Sequence, residues 1–91
     1  MKLLSLVVPT RNDAKYLPSC LESISRQLSN DVELIIVDDG SSDDTPVICK
    51  NFSDAFESVQ VIRHGECQGA SAARNSGLSK SCGRYVVFVD S

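Results

Sequence analysis

Residues 32–40 read VELIIVDDG, an apolar run that ends in two adjacent aspartates and a glycine. A short run rich in Ile and Val indicates a strand buried on both faces, and we predict a strand over residues 32–37. The polar residues that follow include Asp, Ser and Thr, which cap helix N-termini, and Pro46 suits the first helical position. This stretch therefore predicts a strand, a polar loop and a helix in succession.

The same alternation recurs along the rest of the chain. Apolar runs predict further strands over residues 3–8, 59–63 and 85–89. A helix is predicted to begin near Lys15, and the small-residue segment 69–78 predicts another that lies close to its neighbour. Four strands separated by three helices with short connections predict a three-layer α/β/α fold around a parallel sheet.

The composition describes one ordinary globular domain over residues 1–91. Hydrophobic residues make up 42% of the chain and charged residues 23%, which excludes disordered and fibrous classes. A net charge of −3 without a basic cluster argues for a small-molecule partner and against nucleic acid. The first apolar run is too short for export and no membrane-spanning segment follows, so we expect a cytoplasmic chain.

Several familiar motifs are missing from the sequence. There is no G-x-G-x-x-G after a strand, no P-loop, no G-x-S-x-G elbow and no H-E-x-x-H pair. The four cysteines include no C-x-x-C pair, which predicts free thiols and no zinc site. The single histidine, His64, follows the third predicted strand, and we expect it on the surface or the rim of the sheet.

Candidate binding residues gather at the carboxyl ends of the strands, where parallel α/β sheets bind ligands. Residues 9–12, 38–40 and 90–91 fall there. Asp38 and Asp39 are adjacent at a strand end, so their side chains leave on opposite sides and only one faces a given pocket. That carboxylate can accept hydrogen bonds from a base or a ribose. The alternative is that both aspartates form the turn and cap the next helix.

Two other charged residues lie near this edge. Arg74 sits in a predicted helix otherwise rich in Ala, Ser and Gly, where a guanidinium can pair with a phosphate or fix a neighbouring Asp; the alternative is a solvated surface Arg. Asp90 ends an apolar strand, a position in which a carboxylate can hold a ribose or a divalent cation that bridges phosphates. A single Asp at a strand end is by itself weak evidence for a ribose or cation site.

Taken together, four segments resemble the successive motifs of family 2 glycosyltransferases. They are LVVPTRN at 6–12, IIVDDGSSD at 35–43, GASAARNSG at 69–77 and GRYVVFVDS at 83–91. Each motif is weak alone, but four in the right order and spacing are specific, and they span the whole chain. The resemblance implies a Rossmann-like GT-A fold with strand order 3-2-1-4. It also implies a nucleoside-diphosphate sugar, often UDP-linked, across the carboxyl edge.

The resemblance also assigns roles to individual residues. Pro9 and Thr10 would lie beside the base, Asp39 would contact the base or ribose, Arg74 would belong to the nucleotide pocket, and Asp38 would support the loop. The full set of candidate nucleotide-sugar-binding residues is Pro9, Thr10, Asn12, Asp38, Asp39, Arg74 and Asp90.

The implied metal ligand is Asp90. It matches the first carboxylate of the family's D-x-D motif, which binds the ribose and the Mg²⁺ or Mn²⁺ on the diphosphate. The catalytic base and the acceptor site of the family lie beyond residue 91. We therefore expect the full-length parent to transfer a sugar to an acceptor hydroxyl with inversion, for example in cell-surface polysaccharide synthesis. Residues 1–91 alone are expected to lack transferase activity.

Two other functions compete with this interpretation. A phosphoacceptor receiver domain also carries an Asp pair after a strand, although there the pair follows the first strand. A non-catalytic assembly fragment is the second alternative, since the fourth strand would be internal in the intact family fold and an exposed edge recruits partners. We accordingly predict a homodimer through residues 85–89.

Overall fold

The computed structural model describes residues 2–90, and seven elements alternate along them. In chain order they are β1 (Lys2–Thr10), α1 (Leu17–Ser25), β2 (Val32–Asp39), α2 (Thr45–Ala55), β3 (Val59–His64), α3 (Ala70–Lys80) and β4 (Gly83–Phe88). Every predicted strand and helix is therefore present. Three strands extend beyond their predicted ends at the carboxyl edge, to Thr10, Asp39 and His64, whereas β4 ends at Phe88, one residue before its predicted end.

The four strands form one parallel sheet in the order β3-β2-β1-β4, which confirms the predicted strand order. The central pair is β1 with β2, in a register that places Thr10 opposite Asp38. On the other side of β1, Lys2 lies opposite Gly83. Because all four strands run the same way, their carboxyl ends meet at one edge of the sheet.

Helices cover both faces of the sheet and make the core two-sided. Residues of β2 alternate between the faces, as strand geometry requires. Leu34 and Ile36 pack with the buried residues of α1 and α2, whereas Ile35 and Val37 pack with Ala73 of α3. The predicted α/β/α layering is confirmed, and the strands are apolar on both faces for this reason.

The third helix lies unusually close to the sheet. A Cβ added at Gly77 would collide with Cγ1 of Val7 and would lie 3.3 Å from Cγ2 of Val37. A larger residue would push α3 away from β1 and β2, so the small-residue composition of this helix follows from its packing. Within residues 2–90, no helix is long and apolar enough to cross a bilayer.

A second glycine lies where two loops meet. Gly40 has a φ of 72°, in the left-handed region that favours glycine. A Cβ at this position would lie 2.5 Å from the backbone nitrogen of Cys67. Gly40 therefore lets the loop after β2 and the loop after β3 pack against each other at the carboxyl edge.

Candidate functional site

A groove of about 390 Å³ opens at the carboxyl edge of the sheet, between the end of β1 and the start of α3. The residues that line it are Pro9, Thr10, Arg11, Asp13, Asp39, Cys67, Gly69, Ala70 and Ala73. Three of the predicted site residues, at positions 9, 10 and 39, thus lie on one groove. This is the edge at which parallel α/β sheets bind ligands.

The carboxylate of Asp39 is held by four donors. Its Oδ1 accepts from the backbone N–H of Gln68 at 2.9 Å and contacts Nδ1 of His64 at 2.7 Å. Its Oδ2 accepts from the backbone N–H of Gly69 at 2.9 Å and from Sγ of Cys67 at 3.4 Å. Burial raises the pKa of Asp39, but the hydrogen bonds outweigh it and lower the pKa to about 2. The side chain is therefore ionised and, being ionised, can only accept hydrogen bonds.

His64 lies at the rim of the sheet, where β3 ends, but it is buried, so the alternative of a surface position is wrong. Only 8% of the residue is exposed, and its Nε2 lies 2.8 Å from the hydroxyl of Ser76 on α3. Because ionised Asp39 cannot donate, Nδ1 of the ring must carry the proton of their shared hydrogen bond. In the neutral ring Nε2 is then an acceptor and Ser76 donates to it. The ring connects β2, β3 and α3, a role that its sequence context did not indicate.

Asp38 points to the opposite face from Asp39, as predicted for adjacent strand residues. It is fully buried, and its Oδ1 accepts from the backbone N–H of Ser41 at 3.1 Å. Its Oδ2 has no hydrogen-bond partner among the described residues but lies 3.7 Å from Nε of Arg63 in an ion pair. Asp38 does not line the groove. Its contacts match the supporting role in the loop that the resemblance implied.

Asn12 connects the loop after β1 to the loop after β2 through hydrogen bonds. It adopts a φ of 53°, its backbone N–H donates to Oγ of Ser41 at 2.9 Å, and its Oδ1 accepts from the backbone N–H of Ser42 at 2.8 Å. Next to it, Asp13 donates its backbone N–H to Oγ1 of Thr45 at 3.1 Å. Asn12 does not line the groove, so its described contacts fix the loop after β1 in place.

Arg74 and Asp90 are both exposed, and neither lines the groove. Arg74 follows Ala73, a lining residue, by one position on α3. The backbone carbonyl of Asp90 lies 3.9 Å from Sγ of Cys20, beside α1. Ser91, which follows in the predicted site segment, lies outside the described residues. The structure thus brings Thr10 and Asp39 to one groove and leaves the carboxylate of Asp90 outside it.

A divalent cation would find only part of a site in residues 2–90. These residues contain no group of three or more His, Cys, Asp or Glu side chains that could hold a metal ion. Mg²⁺ binds in proteins through one or two carboxylates together with substrate phosphates and waters. The exposed carboxylate of Asp90 fits the role of one such ligand, with the remaining oxygens supplied by a diphosphate or by other residues.

The groove also uses residues that sequence reasoning did not select. Cys67 and Gly69 line it, and both contact Oδ2 of Asp39. Gly69 has a φ of 102° and immediately precedes α3, whose first residue, Ala70, is also a lining residue. The available signal was the small-residue segment after β3, at the same edge as the two aspartates.

Comparison with known proteins identifies the family. The sequence model of glycosyl transferase family 2 matches residues 5–91. Glycosyltransferase GlyA of Streptococcus pneumoniae serotype 4 is 43% identical over 88 residues, which cover 97% of this chain and 12% of GlyA. The chain belongs to glycosyltransferase family 2. This assignment decides against the phosphoacceptor interpretation of the Asp pair.

Solved structures extend the similarity to the fold. TarS 1-349 of S. aureus, in complex with UDP, has a TM-score of 0.89 at 33% identity, and the match covers 100% of this chain and 27% of the TarS 1-349 chain. A mannosyltransferase of Pyrobaculum calidifontis, in complex with GDP-Man and Mn²⁺, has a TM-score of 0.88 at 25% identity, covering 96% of this chain and 26% of that protein. The expected GT-A fold is confirmed.

The chain is short beside its relatives. It spans 12% of GlyA and 34% of a mycobacterial glycosyltransferase of PGL/p-HBAD biosynthesis. The activity, substrates and partners of a whole enzyme are therefore matters for proposal.

Proposed function

We propose that the chain forms the donor-binding part of an inverting glycosyltransferase and binds the nucleotide of a UDP-linked sugar in the groove at the carboxyl edge. The observation that carries this proposal is Asp39, an ionised carboxylate held rigidly on the wall of a groove in a family 2 fold. The complex of TarS with UDP supports the choice of nucleotide. The parent enzyme would act in the cytoplasm, on an acceptor bound by other residues.

The base is recognised through its hydrogen-bond donors. Asp39 can only accept, so it pairs with an imide N–H such as N3–H of uracil and rejects the bare N3 acceptor of cytosine. Pro9 and Thr10 form the adjoining wall beside the base. The groove therefore favours UDP over CDP, because cytosine would turn the lone pair of its N3 toward the carboxylate where uracil donates an N–H.

The diphosphate lies toward α3 and β4. The N-terminus of α3 reaches the groove at Ala70, where unpaired backbone N–H groups and the helix dipole favour a negative charge. Arg74, one turn further along this helix, is exposed and supplies a positive charge. Asp90 is the residue of this chain that would hold Mg²⁺ or Mn²⁺, whose charge stabilises the leaving diphosphate when it is bound.

A binding titration tests the proposal. Titrating the chain with UDP in the presence of Mn²⁺, followed by backbone amide NMR, is expected to shift residues around Thr10, Asp39 and Gly69. CDP is expected to bind roughly 10-fold or more weakly, since a hydrogen bond to a charged group is worth about 1.5–3 kcal/mol. Equal affinity for both nucleotides, or shifts away from the groove, would refute it. No sugar transfer by residues 1–91 alone is expected, and turnover would contradict that expectation.

Self-association through β4 is a further part of the proposal. Within residues 2–90, β4 pairs only with β1, and Tyr85, Val87 and Phe88 are exposed. Val89 donates its backbone N–H to the carbonyl of Val7, so strand alternation points the backbone groups of residues 84, 86 and 88 to the open edge. Such an edge is a template for another strand.

The charges that flank β4 select one register. In this register the β4 strands of two copies pair antiparallel, with Val87 on the two-fold axis. Val86 of one copy then lies opposite Phe88 of the other in a hydrogen-bonded pair, and Arg84 lies opposite Asp90 in a charge pair. Light scattering is expected to show a dimer for the wild type, less dimer for R84D and restoration in the R84D/D90R double variant. A monomer at millimolar concentration would rule this out.

A further inference from the structure

The contacts of Asp39 divide its two carboxylate oxygens between the groove and the interior. The partners of Oδ2, Cys67 and Gly69, both line the groove. The partners of Oδ1, His64 and Gln68, do not. Oδ2 is therefore the groove-side oxygen, and Oδ1 is the rear oxygen that holds the carboxylate in its orientation.

We propose that His64 is a positioning residue of the donor site, which holds the rear oxygen of Asp39 through Nδ1–H so that the other oxygen faces the nucleotide base. The proposal rests on the proposed function and adds to it a residue outside the groove. Ser76 completes the arrangement, because its hydroxyl contacts Nε2 at 2.8 Å and so holds the ring in the orientation that points Nδ1–H at Asp39.

The physical need for His64 follows from the tautomers of imidazole. A ring with its proton on Nε2 would present the lone pair of Nδ1 to the ionised carboxylate at 2.7 Å, which is repulsive. The Asp39 carboxylate would then rotate about its Cβ–Cγ bond, and Oδ2 would no longer face the groove. The backbone donors Gln68 and Gly69 lie on a loop, whereas His64 ends β3 and is fixed by the sheet. A group fixed on the scaffold positions a site better than a loop does.

Variants of His64 separate a positioning role from simple packing. H64N keeps a side-chain donor close to the place of Nδ1 and loses the contact with Ser76. H64L keeps apolar bulk and loses both hydrogen bonds. S76A leaves the ring in place and removes only the hydroxyl contact with Nε2. A matched control is S5A, since Ser5 is buried and hydrogen-bonded to Glu33 in a separate polar cluster away from the groove.

The first readout is the affinity for UDP with Mn²⁺, measured by NMR titration. H64L is expected to weaken UDP binding roughly 10-fold or more, because the loss of one hydrogen bond to a charged group corresponds to such a factor. H64N keeps a donor to Asp39 and is expected to bind UDP within about 3-fold of the wild type. S76A is expected to fall between them. S5A is expected to lose stability and keep the affinity of the wild type.

The second readout is the ¹⁵N shift pattern of the His64 ring, which is expected to show the proton on Nδ1 in the wild type and in S76A, because ionised Asp39 requires that tautomer in both proteins. Wild-type affinity in H64L, equal weakening in H64N and H64L, or a proton on Nε2 in the wild type would each overturn the assignment. If the wild type binds no UDP, the proposed function fails and this assignment with it. If the wild type binds UDP and H64L is unaffected, this assignment alone fails.

Discussion

Replacing Asp39 by Asn is expected to destabilise the fold because the carboxylate organises three segments at once. It accepts from Gln68 and Gly69 in the loop before α3 and from His64 on β3. An amide keeps one acceptor oxygen and turns an NH₂ group either toward Gln68 and His64 or toward Gly69 and Cys67, so two donors are affected in either orientation. One buried donor without an acceptor costs about 1–3 kcal/mol, so with two donors affected we expect a loss of about 3 kcal/mol in the free energy of unfolding.

The loss is large against the total for a chain of this size. At roughly 0.05–0.15 kcal/mol per residue, 91 residues give a stability of about 5–14 kcal/mol. Urea denaturation followed by circular dichroism measures the difference. The matched control is D54N, which removes the same charge from an exposed pair with Lys50, and it is expected to cost less than about 0.5 kcal/mol.

The pH dependence provides a second test of Asp39. The pKa of this group is about 2 in the folded protein against 3.8 for an ordinary Asp, so its contribution to stability is present above about pH 4. That contribution is lost as the pH falls from about 4 to about 2, and D39N is expected to show a shallower decline over this window. The reasoning would be refuted if D39N lost less than about 1 kcal/mol in the free energy of unfolding, or if D39N and the wild type showed parallel profiles of stability against pH.

Three other predictions follow from the same contacts. G77A is expected to lose about 1–3 kcal/mol in the free energy of unfolding, because the new Cβ pushes α3 away from Val7. G65A has open space around its Cβ and is expected to be neutral in the same denaturation experiment, so equal stability of the two variants would contradict the close packing. C67A is expected to leave UDP affinity unchanged or slightly higher. C67S is expected to lower it, because a hydroxyl competes with the base for Oδ2 of Asp39 better than a thiol does, and the reverse order of affinities in a titration would contradict this. N12A is expected to lower the thermal midpoint by several degrees, with a loss of about 1 kcal/mol, as it frees the loop after β1; an unchanged midpoint would oppose it.

The fold could be read from the sequence because the strands are apolar on both faces. Runs such as residues 34–37 leave little alternative to a buried parallel strand, and small residues around Gly77 predicted the close helix. The resemblance to one family then supplied the strand order. Helix bounds were less certain, and α1 begins at Leu17 rather than near Lys15 because Asp13 and Tyr16 still belong to the turn before it.

The candidate site was only partly predictable. The alternation of side chains along β2 indicated that one aspartate of the pair faces a pocket, and Asp39 is that residue. Nothing in the local sequence showed that His64 would be buried, because a histidine after a strand is ordinarily exposed. Its burial depends on Ser76, 12 residues further along the chain, and on Asp39, 25 residues before it. Contacts between distant residues have no signature in a single sequence.

The strand order has a consequence for the timing of folding. Of the four strands β1 leaves the ribosome before the others, and on one side it pairs with β4, so Lys2 has no partner on that side until Gly83 has been synthesised. Pairings between residues so far apart form slowly. During synthesis one long edge of β1 stays open until β4 arrives, and it is then closed at its start by Gly83 and Cys82, whose backbone N–H groups donate to Ser5 and Glu33. A nascent chain halted before β4 would therefore expose the centre of the sheet and become a substrate for chaperones or for aggregation.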